Sequence, residues 1–173
     1  TISCTNPCGE QPLPPYGACL LGSINLTRFV EGAFSAGAHL YLDKLKAAAQ
    51  TAIRFLDNVV DVSNYPLPQQ RAEALNKRRL GLGVTGLADA LFMCGLRYGG
   101  PDAVAATGTW MKAIKDAALD ASAALAEEKG AFPLFDREAY LATPYGRSLS
   151  PAQRDLIARK GLRNGLLTSI APT

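Results

Sequence analysis

Only two or three short stretches of this chain read as β-strand, while five segments read as helix. That imbalance constrains the fold more than any other feature. Sheets in globular domains usually hold about four to six strands, so this chain cannot complete a sheet of normal size by itself. The first helical segment runs from about Leu40 to Val62. Leu42, Leu45, Ala49, Ala52, Ile53, Leu56, Val59 and Val60 recur there at three- and four-residue spacing and form one apolar stripe. Asp43, Lys44, Lys46, Arg54 and Asp57 fall mostly off that stripe. Asn64-Tyr-Pro-Leu-Pro68 stops it, and a second helix is expected from Pro68 to about Lys77. A third is expected over Leu87 to Met93. A long alanine-rich helix should follow Gly99-Gly-Pro101, from about Asp102 to Lys129, with Gly130 as its stop. Ser150-Pro151 reads as an N-cap followed by proline at the first helical position, and Gly161 ends that helix. Gly17 to Leu26 is apolar and reads as a short strand or buried loop, and Leu166 to Ile170 as a buried strand. The prolines at 7, 12, 14 and 15 keep the first 31 residues in extended chain and turns.

With 173 residues there is room for one domain, and 48% hydrophobic residues are enough to build its core, which excludes a disordered chain. The net charge of +3 is too small to argue for a nucleic acid polymer. No apolar run is long enough to span a membrane, and no secretion signal is visible. Four cysteines do not make a disulfide scaffold at this length; they read as reduced thiols, and a cytoplasmic location is expected. The chain opens on Thr1 and stops just after an apolar run, without a cap or polar tail at either end. The expectation is a piece of a longer protein: a single partial domain over residues 1–173.

Three constellations bear on chemistry. In Asn6-Pro7-Cys8-Gly9-Glu10, Pro7 biases Asn6 toward extended backbone. If the segment stays extended, Asn6, Cys8 and Glu10 share one face at intervals of roughly 6.5–7 Å. An amide that orients, a thiol that can act as nucleophile or redox centre, and a carboxylate that can take a proton would then stand together. A surface loop with a capping Asn is the plain alternative. The thiols themselves suggest no metal: Cys4 and Cys8 lack a second pair, and His39 is the only histidine. Gly81-x-Gly83-x-x-Gly86 matches the dinucleotide-binding fingerprint, but the charged run Glu73–Leu80 before it is a poor buried strand, and no acidic strand end follows about 20 residues on. Close packing of backbone segments explains these glycines better. Arg78-Arg79 reads as solvated or ion-paired.

Residues 3–27, Ser-Cys-Thr-Asn-Pro-Cys-Gly-Glu-Gln-Pro-Leu-Pro-Pro-Tyr-Gly-Ala-Cys-Leu-Leu-Gly-Ser-Ile-Asn-Leu-Thr, resemble the active-site stretch of ribonucleotide reductases, above all the adenosylcobalamin-dependent class II enzymes. Arg79 to Leu91 and Ser169-Ile-Ala-Pro-Thr173 agree in the same order. The resemblance implies an α/β fold, here a mainly helical fragment of the ten-stranded barrel, from its C-terminal part, with the reactive cysteine on a finger loop. It implies that Cys8 becomes a thiyl radical and removes the 3′-hydrogen of a ribonucleotide. Glu10 would take the 3′-hydroxyl proton and Asn6 would hydrogen-bond the substrate. Pro172 and Thr173 would begin a loop that cradles the substrate phosphates. The family also uses a redox cysteine pair, one member of which lies before this segment. The stretch around Cys19 could hold the other, a match left open. For the parent protein the resemblance implies adenosylcobalamin as cofactor, not bound to the fragment, and a thioredoxin-type reductant as partner. The isolated fragment, lacking the rest of the chain, is expected to be inactive. Three rivals remain: a class I large subunit with an external radical source, a non-catalytic helical interaction module, and a dinucleotide-binding module through Gly81, Gly83 and Gly86.

Overall fold

A computed structural model describes residues 3–171. Three parallel strands form the central sheet: β3 (Leu20–Asn25), β6 (Arg79–Thr85) and β7 (Leu166–Thr168), with β6 in the middle. Two small hairpins precede and follow β3 in sequence. The first pairs β1 (Cys4–Thr5) with β2 (Pro12–Leu13), the second β4 (Val30–Glu31) with β5 (His39–Leu40). The second hairpin occupies part of what the sequence suggests is a connector. The helices are α1 (Leu42–Val62), α2 (Pro68–Lys77), α3 (Leu87–Met93), α4 (Pro101–Lys129), α5 (Arg137–Ala142), α6 (Pro144–Ser148) and α7 (Pro151–Lys160). The expected helices are all present, with ends shifted by at most two residues. The barrel is not closed: the sheet has three strands, and β3 and β7 are its two edges. None of the helices, among the described residues, is long and apolar enough to cross a membrane.

Parallel strands need long crossovers, and here helices supply them. α1 and α2 lie between β3 and β6 in the chain; α3 to α7 lie between β6 and β7. The α1 stripe buries Leu45, Ala49, Ile53, Leu56 and Val60 against the sheet residues Ile24, Leu80, Leu82 and Val84 and against Ile114 and Ala118 of α4. A second cluster joins Leu119 and Ala123 of α4 to Leu149, Ile157 and Leu162. The long helix therefore buries two sides, which its many alanines allow because they let neighbours approach closely. Ser150 closes α7 with a capping box: its hydroxyl accepts from the Gln153 N–H, and the Gln153 side chain accepts from the Ser150 N–H.

At the seam between α1 and β6 one sequence expectation is corrected and another decided. Asp57, expected mostly off the apolar stripe, is fully buried, and Arg78, expected to be solvated or ion-paired, is ion-paired and only 3% exposed. They are buried because they are paired. Arg78 Nε donates to Asp57 Oδ1 at 2.8 Å, and its two terminal nitrogens donate to Asp61 at 2.8 and 3.0 Å. Asn164 Nδ2 reaches the same Asp57 oxygen at 2.9 Å, and Arg163 Nε approaches the other at 3.3 Å. Arg78 caps α2 in the left-handed region (φ 46°), a turn that swings its side chain inward and starts β6 at the next residue. Asn164 lies two residues before β7, and Ser122 of α4 accepts its backbone N–H. The network thus fixes β6 and β7 against α1 and α4.

Candidate active site

The loop Asn6–Gln11 joins β1 to β2 and is not extended. Asn6 clasps it. Its backbone N–H donates to the Gln11 carbonyl at 3.1 Å, and its Oδ1 accepts the Gln11 N–H at 3.1 Å. The Gly9 N–H donates to the Asn6 carbonyl at 3.0 Å, closing a tight turn in which Gly9 takes a positive φ of 79°. The sequence expectation of one shared strand face is therefore replaced by a turn, because three backbone contacts to Asn6 outweigh the extended bias before Pro7. The three residues remain on one loop with separate settings. Cys8 stands exposed at the apex as a free thiol. Asn6 is half-buried, with its Nδ2 making no hydrogen bond among the described residues. Both carboxylate oxygens of Glu10 are buried without a partner among the described residues. A carboxylate in that state is costly, which suits a group waiting for a hydroxyl. Pro172 and Thr173 lie outside the described residues; the chain leading to them does not.

Beneath the loop lies the face of the sheet turned away from α1. Alternation along the strands decides which residues face which way. A Cβ on Gly22 would touch the Leu56 side chain at 3.5 Å, so Gly22 and its register partner Leu82 face the helices. Leu21 and Gly81, one residue back, face the loop. A Cβ on Gly81 would meet Gln11 Nε2 at 2.7 Å, and one on Gly83 would meet the Ser169 carbonyl oxygen at 2.6 Å. Gly81 and Gly83 thus lie inside a parallel strand, buried on both sides, with the loop and the segment after β7 lying directly on them. The dinucleotide reading fails on this point, since it needs the glycines in the turn between strand and helix. Only Gly86, at φ 67°, sits at such a turn. Close packing, the preferred reading of these glycines, is what the structure shows at Gly81 and Gly83.

Sequence reasoning missed three residues of this floor. Gln11 is 2% exposed, with both side-chain amide atoms unpartnered; Ser169 Oγ and Arg79 Nε are likewise buried and unpartnered among the described residues. The signal was the two-residue spacing of Gly81 and Gly83, which marks one strand face left without side chains. Cys19 immediately precedes β3 and is half-buried. Its thiol is pushed up to about 11, chiefly by burial; the Gln11 carboxamide and the Arg79 charge pull it back, and the Glu10 charge pushes it further. The carboxamide reaches the sulfur without regular hydrogen-bond geometry. Cys94, far along the chain, is also raised by burial. No group of three or more His, Cys, Asp or Glu side chains gathers in metal-binding fashion among the described residues.

A thiol-tipped loop thus stands over the bare face of a parallel α/β sheet, with an unpartnered carboxylate at its base. Residues 1–173 match the family described as ribonucleotide reductase, barrel domain, and the chain belongs to that family. It is 43% identical over 173 residues to the vitamin B12-dependent ribonucleoside-diphosphate reductase of Mycobacterium tuberculosis (strain CDC 1551 / Oshkosh), covering 99% of this chain and 22% of the relative. The protein of the same name from Thermoplasma acidophilum is 40% identical over 172 residues, covering 99% of this chain and 20% of the relative. The ribonucleoside-diphosphate reductase subunit alpha of Chlamydia pneumoniae is 30% identical over 199 residues, covering 99% and 18%. The chain thus spans about a fifth of the length of these relatives.

Proposed function

We propose that this chain is the finger-loop segment of a ribonucleotide reductase that converts ribonucleotides, in the first instance diphosphates, to deoxyribonucleotides by thiyl-radical chemistry. The observation that carries the reading is the pairing on one loop of an exposed thiol, Cys8, with the buried and unpartnered carboxylate of Glu10. As a sulfur radical, Cys8 takes the 3′-hydrogen atom from the ribose, forming S–H and leaving the radical on C3′. Glu10 accepts the 3′-hydroxyl proton while the 2′-hydroxyl leaves as water. The reduction consumes two electrons and two protons, which two thiols supply as they join in a disulfide. Glu10 then returns its proton to the 3′-oxygen and Cys8 its hydrogen atom to C3′, so both end as they began. The free Nδ2 of Asn6 is a donor for a ribose hydroxyl. Pro172 and Thr173 would begin the phosphate cradle. Cys19 is the candidate for the resident redox thiol, since it stands beside Glu10 and Arg79 on the loop-facing side of the sheet.

Both of the most similar relatives named here are vitamin B12-dependent, which favours adenosylcobalamin over the class I alternative. When bound, that cofactor supplies the radical. Cys8, exposed and free at the loop apex, is open to a cofactor held elsewhere in the parent. A thioredoxin-type protein would reduce the disulfide after turnover. The 173 residues alone should be inactive, because three strands do not enclose a substrate cavity. The test is anaerobic ribonucleotide reduction by the intact parent with adenosylcobalamin and dithiothreitol, wild type against Cys8→Ser. Cofactor-dependent turnover lost in the variant is the expected result. Turnover that survives would bring the non-catalytic loop reading forward, and turnover by the isolated segment would refute its inactivity. An inactive wild type would point to an external radical source.

A further inference from the structure

We propose that the carboxamide of Gln11 is a positioning residue for Cys19, holding the sulfur beneath the finger loop. The inference rests on the reading of Cys19 as a redox thiol. Four observations converge. Gln11 is 2% exposed, yet neither atom of its amide has a regular hydrogen bond among the described residues. A buried polar group in that state calls for a partner. Its backbone is fixed independently of its side chain, through the two-way clasp with Asn6. Its Nε2 is laid down on Gly81, where a Cβ would come within 2.7 Å; the bare strand is what lets the amide reach the floor. Finally, Cys19 is one residue before Leu20, the register partner of Leu80, so it enters the sheet beside Arg79, on the side shared by Leu21 and Gly81. The amide and the sulfur therefore converge on the same bare face.

The charged groups acting on the sulfur are Arg79, which favours the thiolate, and Glu10, which opposes it. Burial keeps the group a thiol at neutral pH, as a hydrogen donor must be. Gln11 adds a neutral donor that eases its ionisation when the disulfide must be reopened. Because Gln11 belongs to the same loop as Cys8 and Glu10, a displacement of the loop would reach Cys19 through this amide.

The experiment is alkylation of the reduced, intact parent chain with iodoacetamide between about pH 7 and pH 10, with each cysteine peptide followed by mass spectrometry. In Gln11→Leu, which keeps the volume and removes the donor, the Cys19 rate at a fixed alkaline pH should fall about ten-fold, one unit of pKa. In Gln11→Glu it should fall further, since a second carboxylate faces the sulfur. Rates at Cys94 should not move in either variant. Cys19 rates equal to wild type in both variants would overturn the proposal. If Gln11→Leu alters the Cys8 rate, the loop has shifted, and the isosteric Gln11→Glu decides. The redox reading is tested separately: a Cys19→Ser parent that still turns over with dithiothreitol removes Cys19 from the pair, whatever the alkylation rates.

Discussion

Replacing Arg78 with methionine should cost this chain about 3–5 kcal/mol of stability. The side chain is 3% exposed and spends its donors on Asp57 and Asp61, three of its contacts lying between 2.8 and 3.0 Å. A fourth joins its Nη2 to the Asp57 carbonyl at 2.9 Å. Methionine keeps much of the length and removes every donor. Asp57 is then left fully buried with Asn164 and the more distant Arg163 and Lys129. Removing one partner of a buried ion pair typically costs about 3–5 kcal/mol, against a total of about 5–15 kcal/mol for an ordinary domain. The left-handed backbone at residue 78 is unfavourable for Arg and Met alike, so it cancels in the comparison. Urea unfolding followed by circular dichroism gives the difference, with an unchanged m-value showing that the unfolded state is the same. Arg54→Met is the control, since its pair with Glu128 lies in solvent and should contribute little. A loss of less than about 1 kcal/mol in Arg78→Met would refute the argument, since Asn164 and the more distant Arg163 and Lys129 would then replace all that Arg78 supplies to Asp57.

Two further outcomes follow from the same geometry. Gly83→Ala places a methyl within 2.6 Å of the Ser169 carbonyl and must displace the segment that follows β7; in the parent enzyme it should lower kcat/KM about ten- to hundred-fold, mostly through KM if the displaced segment holds phosphates, and an unchanged steady-state profile would count against that placement. Asp61, held below the usual carboxylate range by the hydrogen bonds from Arg78, adds stability that is present above its unfolded value near ~3.9 and is lost as pH falls through the depressed folded value. The Tm of Asp61→Asn should therefore lose less than wild type on acidification through that window, and parallel Tm–pH curves would contradict it.

The helices were legible because their signals are local. The α1 stripe, proline at the first position of α2, α4 and α7, and glycine after α4 and α7 are each read within a few residues. The hairpin β4–β5 was missed because two-residue strands carry no period. Arg79–Thr85 was missed as a strand because glycine is a poor strand former and because Arg78, beside it, looked like surface. Its burial depends on Asp57, Asp61 and Asn164, which are 17 to 107 residues apart from their partners in the chain. At the site, the identities of Asn6, Cys8 and Glu10 were visible in the sequence, but their arrangement was not. The clasp between Asn6 and Gln11 overrides the local bias toward extension. Gln11 itself was invisible as a site residue, since nothing near it in sequence shows that Gly81 lies beneath it.

The glycines of β6 tie these observations together. A strand in the middle of a parallel sheet usually carries large aliphatic side chains on both faces. Here Leu80, Leu82 and Val84 supply one face and pack on the helices, while Gly81 and Gly83 leave the other empty. That costs packing energy and strand propensity, about 1 kcal/mol per glycine relative to a better strand former. In return, the backbone of the sheet becomes the floor on which Gln11 and Ser169 rest, bringing the thiol loop and the segment after β7 within a residue or two of each other along one strand. A side chain at either position would lift one of them off the sheet. Stability has therefore been placed on one face of the strand, in Leu80, Leu82 and the Arg78 network, and the other face has been kept bare for the close approach of these two segments.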